Sequence, residues 1–399
     1  MKMMSKAIQI IIIREFHRIA ERKTLYLLVI ILPIIIFLFY PLIYTQELLR
    51  EIPVVIYDAD HSSLSQKIIE MVESAPSMKI VKYVSSVKEI KNNFLNGNIS
   101  GAFYFPSGME NEIKAGKNST VVVYRNTSNL IIGNMLMKDG STIIRTASAG
   151  ILLKKMTAKG MMTDKAMDII NPIKIETQSL YNPNYSYLNY LVPGILAFTF
   201  QMIIMIASVL VLSSEFTHET FPELLEIANN NLSLILLGKA VPHFIIHSST
   251  AIFIVGVIFP FFGIKVIGSI LILILFFFLF ILACLMLGLL ISSIFHDQLF
   301  ATELAVFINT PAFIFSGFTF PLWGMPFTHS VIAQILPFTH FLSGFLKIYQ
   351  MNSPLIYILP EVLVLLLFVF VSSILTHLIL KHQVNKYYKS GITSKLVQA

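Results

Sequence analysis

The sequence predicts a helical membrane protein: six transmembrane helices, with an extracytoplasmic α/β domain inserted between the first and the second. Hydrophobic residues make up 55% of the 399 residues and charged residues 13%, whereas soluble domains average about 45–50% and about 25%. Six apolar stretches are each about long enough to cross a hydrocarbon core of roughly 30 Å. Residues 45–186 differ from the rest, because they hold more than half of the charged residues and alternate between strand and helix patterns.

The N-terminal residues 1–23 predict an amphipathic helix that lies in the membrane interface on the cytosolic side. Ile8, Ile12, Phe16 and Ile19 recur at helical spacing, and basic residues occupy another face. A basic helix with one apolar face binds along a membrane surface rather than crossing it.

The other segment boundaries are predicted from the apolar runs and from the polar residues and prolines that interrupt them. The first transmembrane helix is expected at residues 24–44 and is interpreted as an uncleaved anchor, because no small-residue cleavage site follows it. A transmembrane domain is expected over residues 187–380 and a basic cytosolic tail over 381–399. The further helices are expected at about 188–213, 232–262, 267–295, 300–320 and 355–380.

An apolar stretch at 321–350 is interrupted by prolines and predicts an outer re-entrant region rather than a full crossing. Backbone that is not helical is tolerated at membrane depth only where other protein covers it. The residues singled out in this region are Gly317, Phe318, Phe320, Pro321 and Pro337.

Within 45–186, short β-branched and aromatic runs alternate with helical patterns, as in a small α/β domain. Strands are expected at 53–57, 79–84, 101–105 and 120–124. Helices are expected at 64–72, 87–95 and 130–157.

The terminal charges predict the orientation of the chain. Six Lys and Arg residues precede the first span and four lysines follow the last, and such residues concentrate on the cytosolic side. Both termini are therefore expected in the cytosol, which agrees with an even number of spans. Residues 45–186 then lie outside the cytosol, and the polar segment 214–239 lies inside.

The segment 214–239 predicts a short helix between two spans. Thr220 and Glu223 have the spacing of a capping box, and Pro222 falls in the first helical turn. Its acidic residues are either a solvated face or a docking surface for a basic cytosolic partner, and its position between two spans favours docking. The acidic row consists of Glu215, Glu219, Glu223 and Glu226.

The sequence does not support nucleotide hydrolysis by this chain, ion-driven transport or metal binding. A nucleotide-binding P-loop is absent from these 399 residues, and no Lys, Arg, Asp or Glu is expected deep in a span, where an ion-driven carrier would place one. His243 and His247 have the spacing of two metal ligands, but hydrogen bonding between helices is the favoured interpretation. No metal site, no cofactor and no nucleic-acid partner is expected, and no catalytic residue is assigned.

Four stretches, in order, carry a resemblance to a known family: IPVVIYDADHSSLSQKIIE, YNPNYSYLNYLVPGILA, SEFTHETFPELLEIANNNLSLILLGKAVP, and the pair FSGFTFPLWGMP and ILPFTHFLSGFLKIY. They resemble the permease subunits of type 2 ABC exporters, specifically the multidrug-exporter group with a large extracytoplasmic domain after the first span. The resemblance covers about residues 5–380.

The resemblance implies a subunit of the bacterial cytoplasmic (inner) membrane that moves a lipophilic or amphipathic substrate out of the cytosol. Its implied partners are a cytosolic ABC ATPase that binds ATP and Mg, a second identical or different permease half, the lipid bilayer and, in some members, a periplasmic adaptor. A helix at about 219–229 would couple the ATPase to the spans. The docking residues would be Glu215, Glu219, Thr220, Phe221, Glu223, Leu224 and Glu226.

The residues leave one main alternative: a membrane-anchored receptor or adhesion protein that uses 45–186 as a binding module. An intramembrane enzyme is a distant third, because the spans show no Ser/His, paired Asp or metal set. A single span is enough for an anchor, so six spans favour the transporter.

Overall fold

A computed structural model describes residues 2–45, 49–173, 175–176, 178, 180–182 and 186–389. The chain forms two compact units, one of Met1–Glu47 with Ser179–Ala399 and one of Leu48–Gln178. The end of the predicted basic tail, residues 390–399, lies outside the described residues.

The first unit begins with helix α1 over Lys2–Glu21 and helix α2 over Lys23–Ile43. Helix α2 corresponds to the predicted first span and contains a π-helical turn at Leu27–Ile31. It is one of six helices among the described residues that are long and apolar enough to cross a membrane.

The buried stripe of α1 differs from the one predicted. Ala7, Ile11, Glu15 and Ile19 are buried, whereas Phe16 is exposed. The stripe is rotated by about one residue because the Glu15 carboxylate points into the protein, where it contacts Lys239 of another helix and Arg18 of its own helix.

The unit Leu48–Gln178 is built on a four-stranded mixed sheet in the order β2-β1-β3-β4. Strand β1 pairs in parallel with β2 and β3, and β3 pairs antiparallel with β4. The strands are β1 (Ile52–Asp58), β2 (Met78–Tyr83), β3 (Gly101–Phe105) and β4 (Val122–Arg125), close to the predicted positions. The helices are α3 (Ser63–Glu73), α4 (Val87–Leu95), α5 (Met109–Lys114), α6 (Leu130–Ala158) and α7 (Thr163–Ile170).

Each face of this sheet has its own core, because side chains alternate between the faces of a strand. On one face, Val54 and Ile56 pack with Ile68 of α3 and Leu136 of α6. On the other face, Val55 packs with residues of α4.

The remaining helices complete the first unit. They are α8 (Tyr187–Thr217), α9 (Phe221–Ile227), α10 (Leu232–Phe261), α11 (Ile270–Ile294), α12 (Gln298–Phe315), α13 (Phe327–Gln334), α14 (Pro337–Tyr349) and α15 (Leu359–Lys389). With α2, helices α8, α10, α11, α12 and α15 contain the six candidate spans. Their core is rich in phenylalanine, and Phe280 and Phe341 stack with ring centroids 3.8 Å apart.

The predicted span 300–320 is too long at its C-terminal end. Helix α12 ends at Phe315, and Gly317 adopts a left-handed φ of 88° that an α-helix does not allow. The stretch 321–350 contains α13 and α14, which meet at 82°. This pair is either a broken seventh span or a re-entrant hairpin, and Pro337 occupies the first turn of α14, where its missing N–H has no consequence.

Candidate functional site

Glu215, near the C-terminal end of α8, is the hub of a charged cluster rather than a member of an exposed row. Its side chain is 1% exposed. Its carboxylate accepts hydrogen bonds from Arg14 Nη1 and Nη2 at 3.1 and 3.2 Å, and also from Arg18, Lys239 and Thr220. The sequence-based expectation that Glu215 faces solvent beside the other acids is therefore wrong, because four neighbouring groups enclose its charge.

We call Glu15, Arg18, Glu215 and Lys239 the buried ion network. Lys239 of α10 is fully buried and donates to Glu15 at 2.5 Å and to Glu215. Arg18 Nη1 lies 3.4 Å from Glu15 Oε2 and also binds Glu215. The two carboxylates and the two cations have a net charge of zero, which is the condition under which charges are tolerated away from water.

Arg18 also fixes the cluster to the backbone of α8. Its Nη2 donates to the carbonyl of Leu210 at 2.8 Å and to the hydroxyl of Ser214. Charge-assisted hydrogen bonds of this kind are about twice as strong as neutral ones. The network thus connects α1, α8 and α10 by their side chains and, through Arg18, by a main-chain contact.

Glu15 is held ionised by its surroundings. Burial alone would raise the pKa of this carboxyl, but the Lys239 ammonium, the hydrogen bond to His243 and the Arg18 guanidinium together lower it well below its usual range. His243 Nε2 lies 3.1 Å from Glu15 Oε1. His243 therefore has a carboxylate partner that the sequence around it does not show.

His243 and His247 lie one helical turn apart, with ring centroids separated by 6.2 Å. Across the described parts of the chain, no group of three His, Cys, Asp or Glu side chains could hold a metal ion. His247 is buried beside Phe200, and within the described residues neither of its ring nitrogens has a hydrogen-bond partner.

Close packing of α1 on α10 brings the charges together. Gly238 lies beneath Ile11, and a Cβ added at Gly238 would come within 2.6 Å of Ile11 Cγ2. The next residue of α10, Lys239, then meets Glu15, one helical turn along α1 from Ile11. A glycine at this position allows the two helix backbones to approach closely.

Helix α9 is short and begins as predicted with Pro222 in its first turn, but the capping box is absent. Thr220 is the N-cap residue, and its side chain makes no capping hydrogen bond. Its hydroxyl donates to Glu215 instead. Glu219 precedes it with a left-handed φ of 57°, which marks the turn between α8 and α9.

The predicted docking residues of α9 divide between its two faces. Phe221 and Leu224 are buried against the core that α9 shares with α1 and α10. Glu223 and Glu226 are exposed, as is Glu219 before the helix. Arg14 Nη2 lies 3.4 Å from Glu223 Oε2, so one arginine contacts both the buried hub and the exposed row.

The residues singled out in the outer region are not all alike. Phe318 is buried and stacks on Tyr190 with centroids 5.2 Å apart, over Gly194. Phe320 and Pro321 are exposed. Gly317 provides the left-handed backbone conformation that follows α12, and Pro337 occupies the first turn of α14.

Sequence reasoning missed Glu15, Arg14, Arg18 and Lys239 as site residues. Glu15 and Lys239 are more than 200 positions apart, so their pairing leaves no local pattern. One signal was available: Lys239 is the eighth residue of its helix, about 10 Å from the start, and the only Lys, Arg, Asp or Glu in it. A lysine at that depth usually pairs with a buried carboxylate or with backbone carbonyls. The prediction that no Lys, Arg, Asp or Glu lies deep in a span is therefore wrong for Lys239.

Comparison with known proteins gives consistent matches. Residues 23–378 match the family model described as ABC-2 family transporter protein. The chain is 28% identical over 207 residues to the probable multidrug ABC transporter permease YbhS of Escherichia coli K12, covering 51% of this chain and 53% of that protein. It is 29% identical over 188 residues to the probable multidrug ABC transporter permease YbhR of the same strain, covering 46% and 50%. The matched region spans about half the length of each of these relatives.

Proposed function

Because this chain belongs to the ABC-2 family of transporter proteins, we propose that it is the membrane permease subunit of an ATP-driven exporter. The observation that carries the proposal is the combination, at one end of two candidate spans, of an exposed acidic helix and a buried ion network that connects it to those spans. Membership in a transporter family favours this function over the membrane-anchored receptor.

The energy source is assigned to a separate subunit. No P-loop occurs in these 399 residues, and the buried ion network is neutral, with every member paired. A partner ATPase would bind ATP and Mg, and its conformational change would drive the permease.

The contact with that ATPase is proposed at residues 219–229. Glu219, Glu223 and Glu226 are exposed and suited to basic side chains of a partner. Phe221 and Leu224 face inward, so a force on the outer face of α9 acts on a packed core rather than on a loose loop.

The buried ion network would transmit that force. Thr220 at the start of α9 donates to Glu215 of α8, and Glu215 binds Lys239 of α10. Displacing α9 therefore strains contacts with both flanking spans and with α1. Packed helices tend to adopt a few discrete arrangements, so a small displacement of α9 can shift the spans from one arrangement to another.

We also propose where the protein lies in the cell and how it assembles. The protein would lie in the bacterial cytoplasmic membrane with both termini and α9 in the cytosol, following the distribution of Lys and Arg. The unit Leu48–Gln178 would be extracytoplasmic. The permease would pair with a second half, identical or different, and export a lipophilic or amphipathic substrate, in some assemblies to a periplasmic adaptor.

Co-purification tests the docking site. The full chain is expressed with a candidate cytosolic ABC ATPase from the same genome, and the Glu219→Lys, Glu223→Lys double variant is compared with the natural chain. The variant should lose the ATPase on affinity purification, because exposed acids become bases facing a basic surface. A matched control reverses two exposed acids of α3, Glu70→Lys with Glu73→Lys, and should retain the ATPase. Retention by both variants would remove α9 as the docking site.

A further inference from the structure

A groove in the unit Leu48–Gln178 has the shape and lining of a ligand site. It lies between α3, α5 and α6 and has a volume of about 660 Å³, within the range of about 300–1,000 Å³ that is usual for small-molecule pockets. Its apolar lining is supplied mainly by Leu64, Ile68, Met71, Ile113 and Ile151.

The rim of the groove is strongly basic. Four lysines line it against a single carboxylate, Glu110. Lys114 is paired with Glu110 at 3.1 Å, whereas in the described part of the chain Lys67, Lys154 and Lys155 have no carboxylate within salt-bridge distance. The groove therefore presents three positive charges that no protein acid neutralises.

Small residues of α6 keep the groove open. Ala147, Gly150 and Ala158 face it, and a Cβ added at Gly150 would meet no atom within 4 Å. Glycine destabilises a helix by about 1 kcal/mol relative to alanine. Packing of α6 against its neighbours does not require this glycine.

We propose that this groove binds a single-chain anionic amphiphile. The tail would lie on the apolar floor between α3 and α6, and a carboxylate, sulfonate or phosphate headgroup would contact Lys67, Lys154 and Lys155. Lysine side chains suit this role because their methylene stems cover apolar surface while the ammonium stays at the rim. The site needs neither ATP nor the ATPase partner, so it goes beyond the proposed export function.

Photolabelling of the full chain tests the site. The protein is reconstituted in nanodiscs of zwitterionic phosphatidylcholine, exposed to palmitic acid carrying a diazirine in its chain, irradiated and mapped by peptide mass spectrometry. Label is expected in Leu64–Met71 and Ala147–Ala158. Laurate and dodecyl phosphate should compete with the label, and dodecyltrimethylammonium should not.

Two variants locate the binding. Lys67→Glu with Lys154→Glu and Lys155→Glu should weaken the apparent affinity for the probe by at least about tenfold, the equivalent of a single charge-assisted contact. Gly150→Trp fills the groove without changing its charge and should also abolish labelling, with an unchanged thermal unfolding midpoint. The matched control, Lys88→Glu with Lys91→Glu, reverses exposed lysines of α4 on the opposite face of the sheet and should label normally.

Three results would overturn the proposal. Equal competition by the cationic amphiphile would show that charge does not select the ligand. Unchanged labelling of Gly150→Trp would place the probe elsewhere. Displacement of the probe by phosphatidylglycerol in the nanodisc, with no effect of laurate, would show a surface for membrane headgroups instead of a site for a free amphiphile.

Discussion

Replacing Glu215 by glutamine tests the buried ion network most simply. Glu215→Gln keeps the size of the side chain and removes one negative charge. The remaining members, Glu15, Arg18 and Lys239, then have a net charge of +1 in a site where the side chains of Glu15 and Lys239 are fully buried and that of Arg18 is 9% exposed.

The expected loss is large because two largely buried cations are left to share one carboxylate. Removing one member of a buried ion pair typically destabilises a protein by about 3–5 kcal/mol. The Lys239 ammonium would keep only Glu15, and Arg18 would keep a 3.4 Å contact with the same carboxylate. We therefore expect a loss of about 3–5 kcal/mol in the free energy of unfolding.

The assay is unfolding in mixed micelles with increasing dodecyl sulfate, with hydrogen exchange of α1 as a local reporter. The double variant Glu215→Gln with Lys239→Met restores neutrality, so its loss should be smaller than the sum of the two single losses by about 0.5–3 kcal/mol. Glu226→Gln, an exposed control on α9, should change stability by less than about 0.5 kcal/mol. Additive losses, or a Glu215→Gln loss as small as that of the control, would refute the network.

Three further predictions concern individual buried contacts. Since the pKa of Glu15 is lowered in the folded protein, its contribution is present above pH 4.5 and is lost as the pH falls below that value; the stability difference between the natural chain and Glu15→Gln should shrink across that range in pH-dependent unfolding. Gly238→Ala should cost about 1–3 kcal/mol by overpacking against Ile11, and Ile11→Ala should recover part of it in the same unfolding assay; no recovery would contradict the contact. Asn309→Leu should cost about 0.6–1.7 kcal/mol, because it removes the acceptor of the 2.6 Å hydrogen bond from the buried Gln201 amide, and adding Gln201→Leu should not increase the loss; a clear increase would show that the two side chains act separately.

The spans were predictable because each one is encoded by a continuous local signal. About 20 apolar residues in a row report a crossing whatever the tertiary structure is. The strand and helix pattern of the α/β unit was predictable for the same reason, since side-chain alternation and β-branched residues mark each strand locally.

The ion network could not be predicted because it joins three helices that are distant in sequence. Periodicity placed the stripe of α1 on its most apolar face, but burial of Glu15 against Lys239 rotated the helix. The capping box at Thr220 failed for a related reason, since Glu215 takes the hydroxyl that would have capped α9. In both places a tertiary contact outweighed a local preference.

The buried ion network is proposed to transmit ATPase movement from α9 to the spans. Hydrogen exchange of α8, Tyr187–Thr217, tests this in the proposed permease–ATPase complex before and after trapping with ATP and vanadate. In the natural chain, trapping should change exchange along α8. The neutral variant Glu215→Gln with Lys239→Met should still bind the ATPase through α9 but show no such change. The same change in a bound and folded variant would contradict the claim.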